Sequence, residues 1–314
     1  MDTGAAQMGD SPGEGGGRIP GTAGKAAFTL LRREPSPIPV LIAVPHAGRH
    51  YPAALLGQMR DPVSAGLKLE DRYVDLMARA VARDTGAGLL LAHAPRAMID
   101  LNRAPEEMDW EMLAEGPGGE RNPLRTARRA RGGLGLVPRR LPGLGEIWRR
   151  RITQAELDAR IAGIHAPYHE VLAGGLAAIK GRWGAALLID LHSMPPLGPK
   201  RGAQASADFV VGDRFGSSCD GALCAAAFDL FAEAGRRASH NRPYAGGYVL
   251  DRHCAPARGV HGLQIEICRS AYLDERLCEP GAGFGDIATL LGGLVRRLAS
   301  EFAGLCGTTR QAAE

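Results

Sequence analysis

Aromatic residues are scarce in this chain of 314 residues, at 5%, and none of its cysteines stands in a CxxC pair. A long hydrophobic run and a strong net charge are missing as well. The richest apolar stretches, 39–44 and 185–191, break within about ten residues. A membrane-spanning helix needs roughly 18 or more, so no membrane span is expected. No basic-then-apolar leader opens the chain, and a cytoplasmic protein is expected. The six cysteines (Cys219, Cys224, Cys254, Cys268, Cys278 and Cys306) all fall in the last third. A chain this long does not need a disulfide framework, and unpaired spacing argues against structural zinc, so they read as thiols packed as small hydrophobes. The formal charge of +4, from 38 Lys+Arg against 34 Asp+Glu, is too small to announce a nucleic-acid partner.

What is present is the composition of a folded protein, 45% hydrophobic and 23% charged. Residues 1–26 are rich in Gly, Ala, Ser and Pro and read as a disordered tail, with a second short tail at 309–314. Between them, 27–308 reads as one catalytic domain. Strands are expected at 39–44, 86–92, 97–101, 185–191, 207–212 and 261–268. Helices are expected at 71–84, at 154–177 with a break near Pro167, at 222–235 and at 284–305. Alternating strands and helices predict an α/β fold with a mixed, mostly parallel sheet covered on both faces. The Gly- and Arg-rich segment 116–151 interrupts this order as an insertion.

In open α/β sheets ligands sit at the carboxyl ends of strands, and several strands here end in reactive side chains. The first runs into Pro45-His46, the third into Asp100-Leu-Asn102-Arg103, and the central one into Asp190-Leu-His192-Ser193. In Leu263-Gln-Ile-Glu-Ile267 the period of two puts Gln264 and Glu266 on one face. A carboxylate on so apolar a strand needs a partner or a pocket. Two strand-end histidines with carboxylates suit a catalytic zinc site, with three protein ligands, an open position and a free carboxylate to move protons. Taken singly, each of these residues also has a structural reading as a satisfied polar group, a turn or an ion pair.

The ordered set Val44-Pro-His-Ala-Gly48, Arg96-Ala-Met-Ile-Asp-Leu-Asn-Arg103, Ile189-Asp-Leu-His-Ser-Met194, Asn241-Arg-Pro-Tyr-Ala-Gly-Gly247 and His261-Gly-Leu-Gln-Ile-Glu266 resembles the N-formylglutamate amidohydrolase family. Asp71 with Asp75, Pro167-Tyr-His169 and Gly212-Asp-Arg-Phe-Gly216 add smaller matches, and together they span about 39–274. The family is similar, more distantly, to zinc carboxypeptidases and aspartoacylases, which implies a phosphorylase/hydrolase-like α/β fold. The resemblance implies one Zn²⁺ per chain, with His46 and His192 as ligands. In the wider group a Glu ligand follows the first histidine by three residues; Arg49 stands there instead. The third ligand is then expected to be Asp71 or, as runner-up, Glu70.

By the same resemblance Glu266 is the general base, and Arg96 polarises the scissile carbonyl. Asn102 with Arg103 grips a substrate α-carboxylate, and Asn241 and Tyr244 belong to a substrate loop. The implied activity is hydrolysis of the N-acyl amide of a small acidic amino acid, N-formyl-L-glutamate first, to formate and glutamate, a step of histidine degradation. The implied partner is therefore a small anionic N-acyl amino acid. A deacylase or peptidase acting on another N-acyl amino acid or a cell-wall amide is the alternative within enzymes. His169 is expected to make structural hydrogen bonds. His50, spaced as His-x₃-His from His46, would need a helix that Pro52 argues against.

Ten arginines and one acid, Glu146, lie between Arg121 and Arg151. Three readings stay open for this stretch: a solvated loop, a basic rim drawing in an anionic substrate, and a polyanion patch on a non-catalytic binding protein. Only Trp148 accompanies it, with no nucleic-acid-binding motif, which argues against the third.

Overall fold

The computed structural model describes residues 13–115, 132–199 and 206–311. Its strands are β1 (Glu14–Gly16), β2 (Phe28–Leu31), β3 (Val40–Val44), β4 (Gly88–Ala92), β5 (Arg140–Leu141), β6 (Gly145–Glu146), β7 (Ala186–Met194), β8 (Phe209–Gly212), β9 (Ala238–His240) and β10 (Val260–Cys268). The helices are α1 (Ala53–Gln58), α2 (Pro62–Leu69), α3 (Val74–Thr85), α4 (Gln154–Arg160), α5 (Ala166–Trp183), α6 (Gly221–Glu233), α7 (Tyr248–His253) and α8 (Phe284–Gln311). Eight strands form one sheet in the order β1-β2-β4-β3-β7-β10-β8-β9. At its centre β4, β3, β7 and β10 run parallel, while β2 and β8 join antiparallel on either side.

The central strands are buried on both faces, which is why they read as continuous apolar runs. Val40, Ile42, Val44, Leu187, Ile189, Leu191, Leu263, Ile265 and Ile267 face one layer, where α3, α6 and α8 pack. Leu41, Ala43, Leu90, Ala92 and Leu188 face the other, against Tyr168, Leu172 and Leu176 of α5. On that second face the apolar residues of β7 give way at Asp190 and His192, and those of β10 at Gln264 and Glu266. The polar site is therefore a continuation of one core layer past the point where the helix covers it.

Four expectations are corrected. The disordered tail to residue 26 does not hold from Gly13 onward: β1 pairs with β2, and Ile19 is buried in the core. Glycine makes this possible. Gly17 sits at φ 58°, and a Cβ there would stand 2.6 Å from the Gly163 carbonyl. The expected strand at 97–101 is a series of turns, with Met98 and Ile99 N–H donating to Pro95 O. Its apolar residues are buried, but beneath the 132–152 segment rather than in the sheet. The long helix expected at 154–177 continues to Trp183 but is divided by a π turn, Ile161–His165, in which Ala166 N–H reaches back to Ile161 O.

The described part of the Arg-rich segment is also no free loop. Leu136, Val137, Ile147 and Trp148 are buried in the core, and β5 pairs with β6. Arg139 is held by Asp109, Glu111 and Glu146, and Arg150 by Glu156. These ion pairs neutralise Arg139 and Arg150, while Arg140, Arg149 and Arg151 stay exposed. Residues 116–131 lie outside the described residues. Among the described residues no helix is long and apolar enough to cross a membrane.

Candidate active site and metal centre

His46 leaves β3 through Pro45, and Asp71 N–H donates to its carbonyl at 2.9 Å, which brings the turn before α3 under the strand end. His192, in the second half of β7, lies beside Glu266 of β10 in the parallel register, and Asp190 lies beside Gln264. Both imidazoles are tied on one edge by a buried carboxyl. His46 Nε2 is 2.7 Å from Asp100 Oδ1, and His192 Nε2 is 2.9 Å from Asp190 Oδ2. A carboxylate only accepts, so each Nε2 carries a proton, and each Nδ1 is the edge turned away from that carboxyl.

The two Nδ1 atoms converge on one oxygen. Asp71 Oδ2 lies 3.1 Å from His192 Nδ1 and 3.7 Å from His46 Nδ1. His46 Nδ1 is buried and has no hydrogen-bond partner among the described residues. One ligand atom from each of His46, Asp71 and His192 lies within 4.8 Å of the others. This donor set fits a divalent cation: two imidazole nitrogens and a carboxylate face each other, and each histidine is oriented from behind by a carboxyl. Glu70, the runner-up, points elsewhere, with Oε2 3.0 Å from Arg72 Nη1. Arg49 pairs with Asp75 at 3.0 Å, and His50 stands before α1 rather than on a helix with His46.

The electrostatics agree with this geometry. Burial pushes His46 down to about 4, with Arg96 reinforcing it, so it is neutral. His192 is held well above its ordinary value: burial lowers it, but Asp190 and Asp71 outweigh that. In this site, therefore, a proton on His192 Nδ1 stands where a cation would. Burial alone would raise Asp71, yet the hydrogen bond and charge of His192, then His46 and Arg269, hold it well below the carboxylate range. Glu266 goes the other way. Burial lifts it to about 7, only partly offset by the positive charge of His192, which poises it for proton transfer near neutrality.

A cavity of about 440 Å³ opens over this cluster, and His46, His192 and Glu266 form its floor. Arg96, Asn102, Arg103 and Tyr244 line it. Arg96 Nε donates to Asp100 Oδ2 at 2.9 Å, which links it to the histidine's support. Arg103 donates to the carbonyls of Asn102 and Leu134. Asn102 Nδ2 donates to Gln264 Oε1 at 3.1 Å, and its Oδ1 accepts from Val249 N–H at 2.9 Å, so the side chain fastens β10 to the start of α7. Gly247 must be glycine for this, because a Cβ would meet the Asn102 amide at 2.6 Å.

Asn241 is the exception among the expected substrate contacts. It does not line the cavity: its Nδ2 donates to Asp213 Oδ1 at 2.7 Å and its Oδ1 accepts from Asp213 N–H at 3.0 Å. It anchors the loop that carries Tyr244 and Gly246 to the cavity wall. Its φ of 59° explains an Asn there, since Asn tolerates the left-handed region.

Sequence reasoning left several residues without a role. Asp100 and Asp190 stood in the motif strings, and the Asp-x-His spacing on a strand was the available signal for the second. Arg269 left no signal. It is buried, donates to Leu67 O (2.9 Å), Glu70 O (2.6 Å) and Ser193 Oγ (3.2 Å), and lies 3.6 Å from Asp71. It thereby holds the segment that presents Asp71. His165 and His169 support the opposite wall through Nε2, donating to Arg103 O (2.9 Å) and Leu101 O (3.0 Å), while His169 Nδ1 meets His253 Nε2 at 2.9 Å. The structural role expected for His169 is what these bonds describe.

The sequence profile of the N-formylglutamate amidohydrolase family matches residues 38–273, which contain every residue of this cluster. The chain belongs to that family. An N-formylglutamate deformylase of Pseudomonas aeruginosa is 30% identical over 266 residues, covering 83% of this chain and 91% of the relative. One from Pseudomonas putida is 30% identical over 252 residues, 76% of this chain and 83% of the relative. Among solved structures, the N-formylglutamate amidohydrolase of Ralstonia eutropha JMP134 superposes with a TM-score of 0.76 at 30% identity, over 91% of this chain and 99% of that one. The chain is accordingly a hydrolase of amide C–N bonds, built on the mixed, mostly parallel sheet described above.

Proposed function

We propose that the chain hydrolyses N-formyl-L-glutamate to formate and glutamate, using one zinc ion held by His46, Asp71 and His192. What supports the metal is the convergence of two histidine Nδ1 atoms on Asp71, one of them buried without a partner, with both Nε2 atoms tied to buried carboxyls. What supports the substrate is the N-formylglutamate deformylase activity for which the Pseudomonas relatives are named, together with a cationic cavity. Zinc in such a site supplies a positive charge that polarises a carbonyl and acidifies water.

The chain's own residues do the rest. Glu266 accepts a proton from the attacking water and delivers it to the departing amino nitrogen, a task that suits a carboxyl lifted to about 7. Arg96, fixed through Nε by Asp100, offers its guanidinium to the oxygen that becomes negative in the tetrahedral state. Arg103 on the wall and the exposed Lys68 at the mouth provide positive charge for the carboxylates of a dianionic substrate. Asn102 keeps that wall in register with β10.

Formate release from a panel of N-formyl and N-acetyl amino acids tests the substrate. N-formyl-L-glutamate is expected to give the highest kcat/KM; faster turnover of a neutral or basic N-acyl amino acid would overturn the assignment. Glu266→Gln is expected to lower kcat by about 10²–10⁴-fold while zinc still binds. Turnover like that of the wild type removes Glu266 from the mechanism.

A further inference from the structure

A second cluster of metal-ligating side chains lies outside the cavity. Asp213 follows β8, Cys224 is on the first turns of α6, and His240 ends β9. His240 Nε2 is 3.0 Å from Asp213 Oδ2 and 3.5 Å from Cys224 Sγ, and the three ligand atoms lie within 4.8 Å of one another. Asp213 and Cys224 are buried and His240 is half exposed, so one side of the cluster faces solvent. None of the three residues lines the cavity described above.

The arrangement is wrong for a nucleophilic triad. There the imidazole bridges, with one nitrogen on the nucleophile and the other on the carboxylate. Here the same Nε2 faces both the thiol and the carboxylate. It is right for a cation. With zinc bonds near 2.0 Å to N or O and 2.3 Å to S, tetrahedral ligand edges come to about 3.3 Å for N–O and about 3.5 Å for N–S. The carboxylate is also prepared from behind: Oδ1 accepts from Asn241 Nδ2 at 2.7 Å and from Gly216 N–H at 3.0 Å, which leaves Oδ2 for the cluster.

We propose that Asp213, Cys224 and His240 form a second metal site that takes a borderline-soft divalent cation, zinc first, with solvent completing the coordination. Its place in the fold gives it a structural task. Asp213 carries Asn241, and Arg214 N–H donates to Ala245 O at 2.8 Å, so the ion would clamp α6, β8 and β9 at the root of the loop that brings Tyr244 to the cavity. The spacing of the cysteines along the chain could not announce it, because the site takes only one of them.

The two metal sites can be told apart by spectroscopy, since His46, Asp71 and His192 include no thiol. Full-length protein is stripped with a chelator and titrated with Zn²⁺ and, separately, Co²⁺. Wild type is expected to bind two equivalents of Zn²⁺ per chain and to show a near-ultraviolet thiolate-to-cobalt charge-transfer band. His240→Ala, at a half-exposed position that tolerates truncation, is expected to lose one equivalent and most of the band. Cys224→Ala is expected to lose the band entirely while the first equivalent still binds. Absence of the band from wild type, its persistence in Cys224→Ala, or an unchanged second equivalent in His240→Ala overturns the proposal. Loss of the equivalent that gives no band would instead count against the His46, Asp71 and His192 site.

Discussion

Replacing Asp100 by Asn keeps the shape of a buried side chain that does not line the cavity, and still reaches both the metal site and Arg96. Asp100 Oδ1 accepts from His46 Nε2 at 2.7 Å and from Asn102 N–H at 2.8 Å, and Oδ2 accepts from Arg96 Nε at 2.9 Å. An amide has a single acceptor oxygen. Placed at the Oδ1 position, that oxygen keeps two bonds and turns the NH₂ toward Arg96; reversed, it loses two and confronts His46. The first arrangement wins, so His46 keeps its tautomer but loses a charged support, and Arg96 loses its anchor. Outer partners of ligating histidines are worth about 10–100-fold in metal affinity or activity. A hydrogen bond to a charged group contributes about 1.5–3 kcal/mol. Zinc affinity is expected to fall about tenfold, and kcat/KM on N-formyl-L-glutamate about 100-fold. Chelator competition measures the first and formate release at saturating zinc the second. A variant within about twofold of wild type in both would refute the claim that Asp100 couples the ligand to the arginine.

Other outcomes follow from the same contacts. Arg269→Leu removes the donors that hold Leu67 and Glu70 carbonyls and leaves Asp71 less compensated, so urea unfolding should show a loss of about 3 kcal/mol. Asn241→Ala should raise KM more than it lowers kcat and cost about 2 kcal/mol of stability, because it frees the loop bearing Tyr244 without touching the reacting groups. Burial pushes His169 down to about 2 and His253 down to about 4. An unfolded histidine titrates near about 6.5, so below that pH the unfolded chain binds more protons. The stability these two contribute is complete above about pH 6.5 and declines as the pH falls, toward about 4 for His253 and toward about 2 for His169. Denaturant titrations at stepped pH should show that slope, and His253→Gln should make it shallower; an equal slope in both proteins would be inconsistent with a neutral His253.

Much of the site could be read because strand periodicity converts sequence position into direction. Glu266 two residues after Gln264, and His192 two after Asp190, had to share a face, and they do. Asp71 required a contact between a turn and two strand ends that no local pattern specifies. The segment 97–101 misled because burial, not strand pairing, selected Ala97, Met98 and Ile99. The glycines before Ile19 misled in the opposite sense: a composition typical of disorder here permits close approach to Gly163. The π turn at Ile161–His165 lies before the proline that suggested a break, and it is the bulge that delivers His165 to the Arg103 carbonyl. Arg269 and the loop-anchoring role of Asn241 depend on partners 202 and 28 residues away, beyond what spacing along one element can indicate.

The lateral pairing of Glu266 with His192 has a consequence for how the chain can change over time. Slide β10 by a single residue against β7, and Ile265 or Ile267 would face the cavity while the carboxyl sank among the packed aliphatic side chains. A one-residue insertion or deletion inside Val260–Cys268 thus inverts a whole strand rather than shifting it slightly. Length variation among descendants of this chain should therefore collect in the connecting loops, where gaps leave the direction of every catalytic side chain intact.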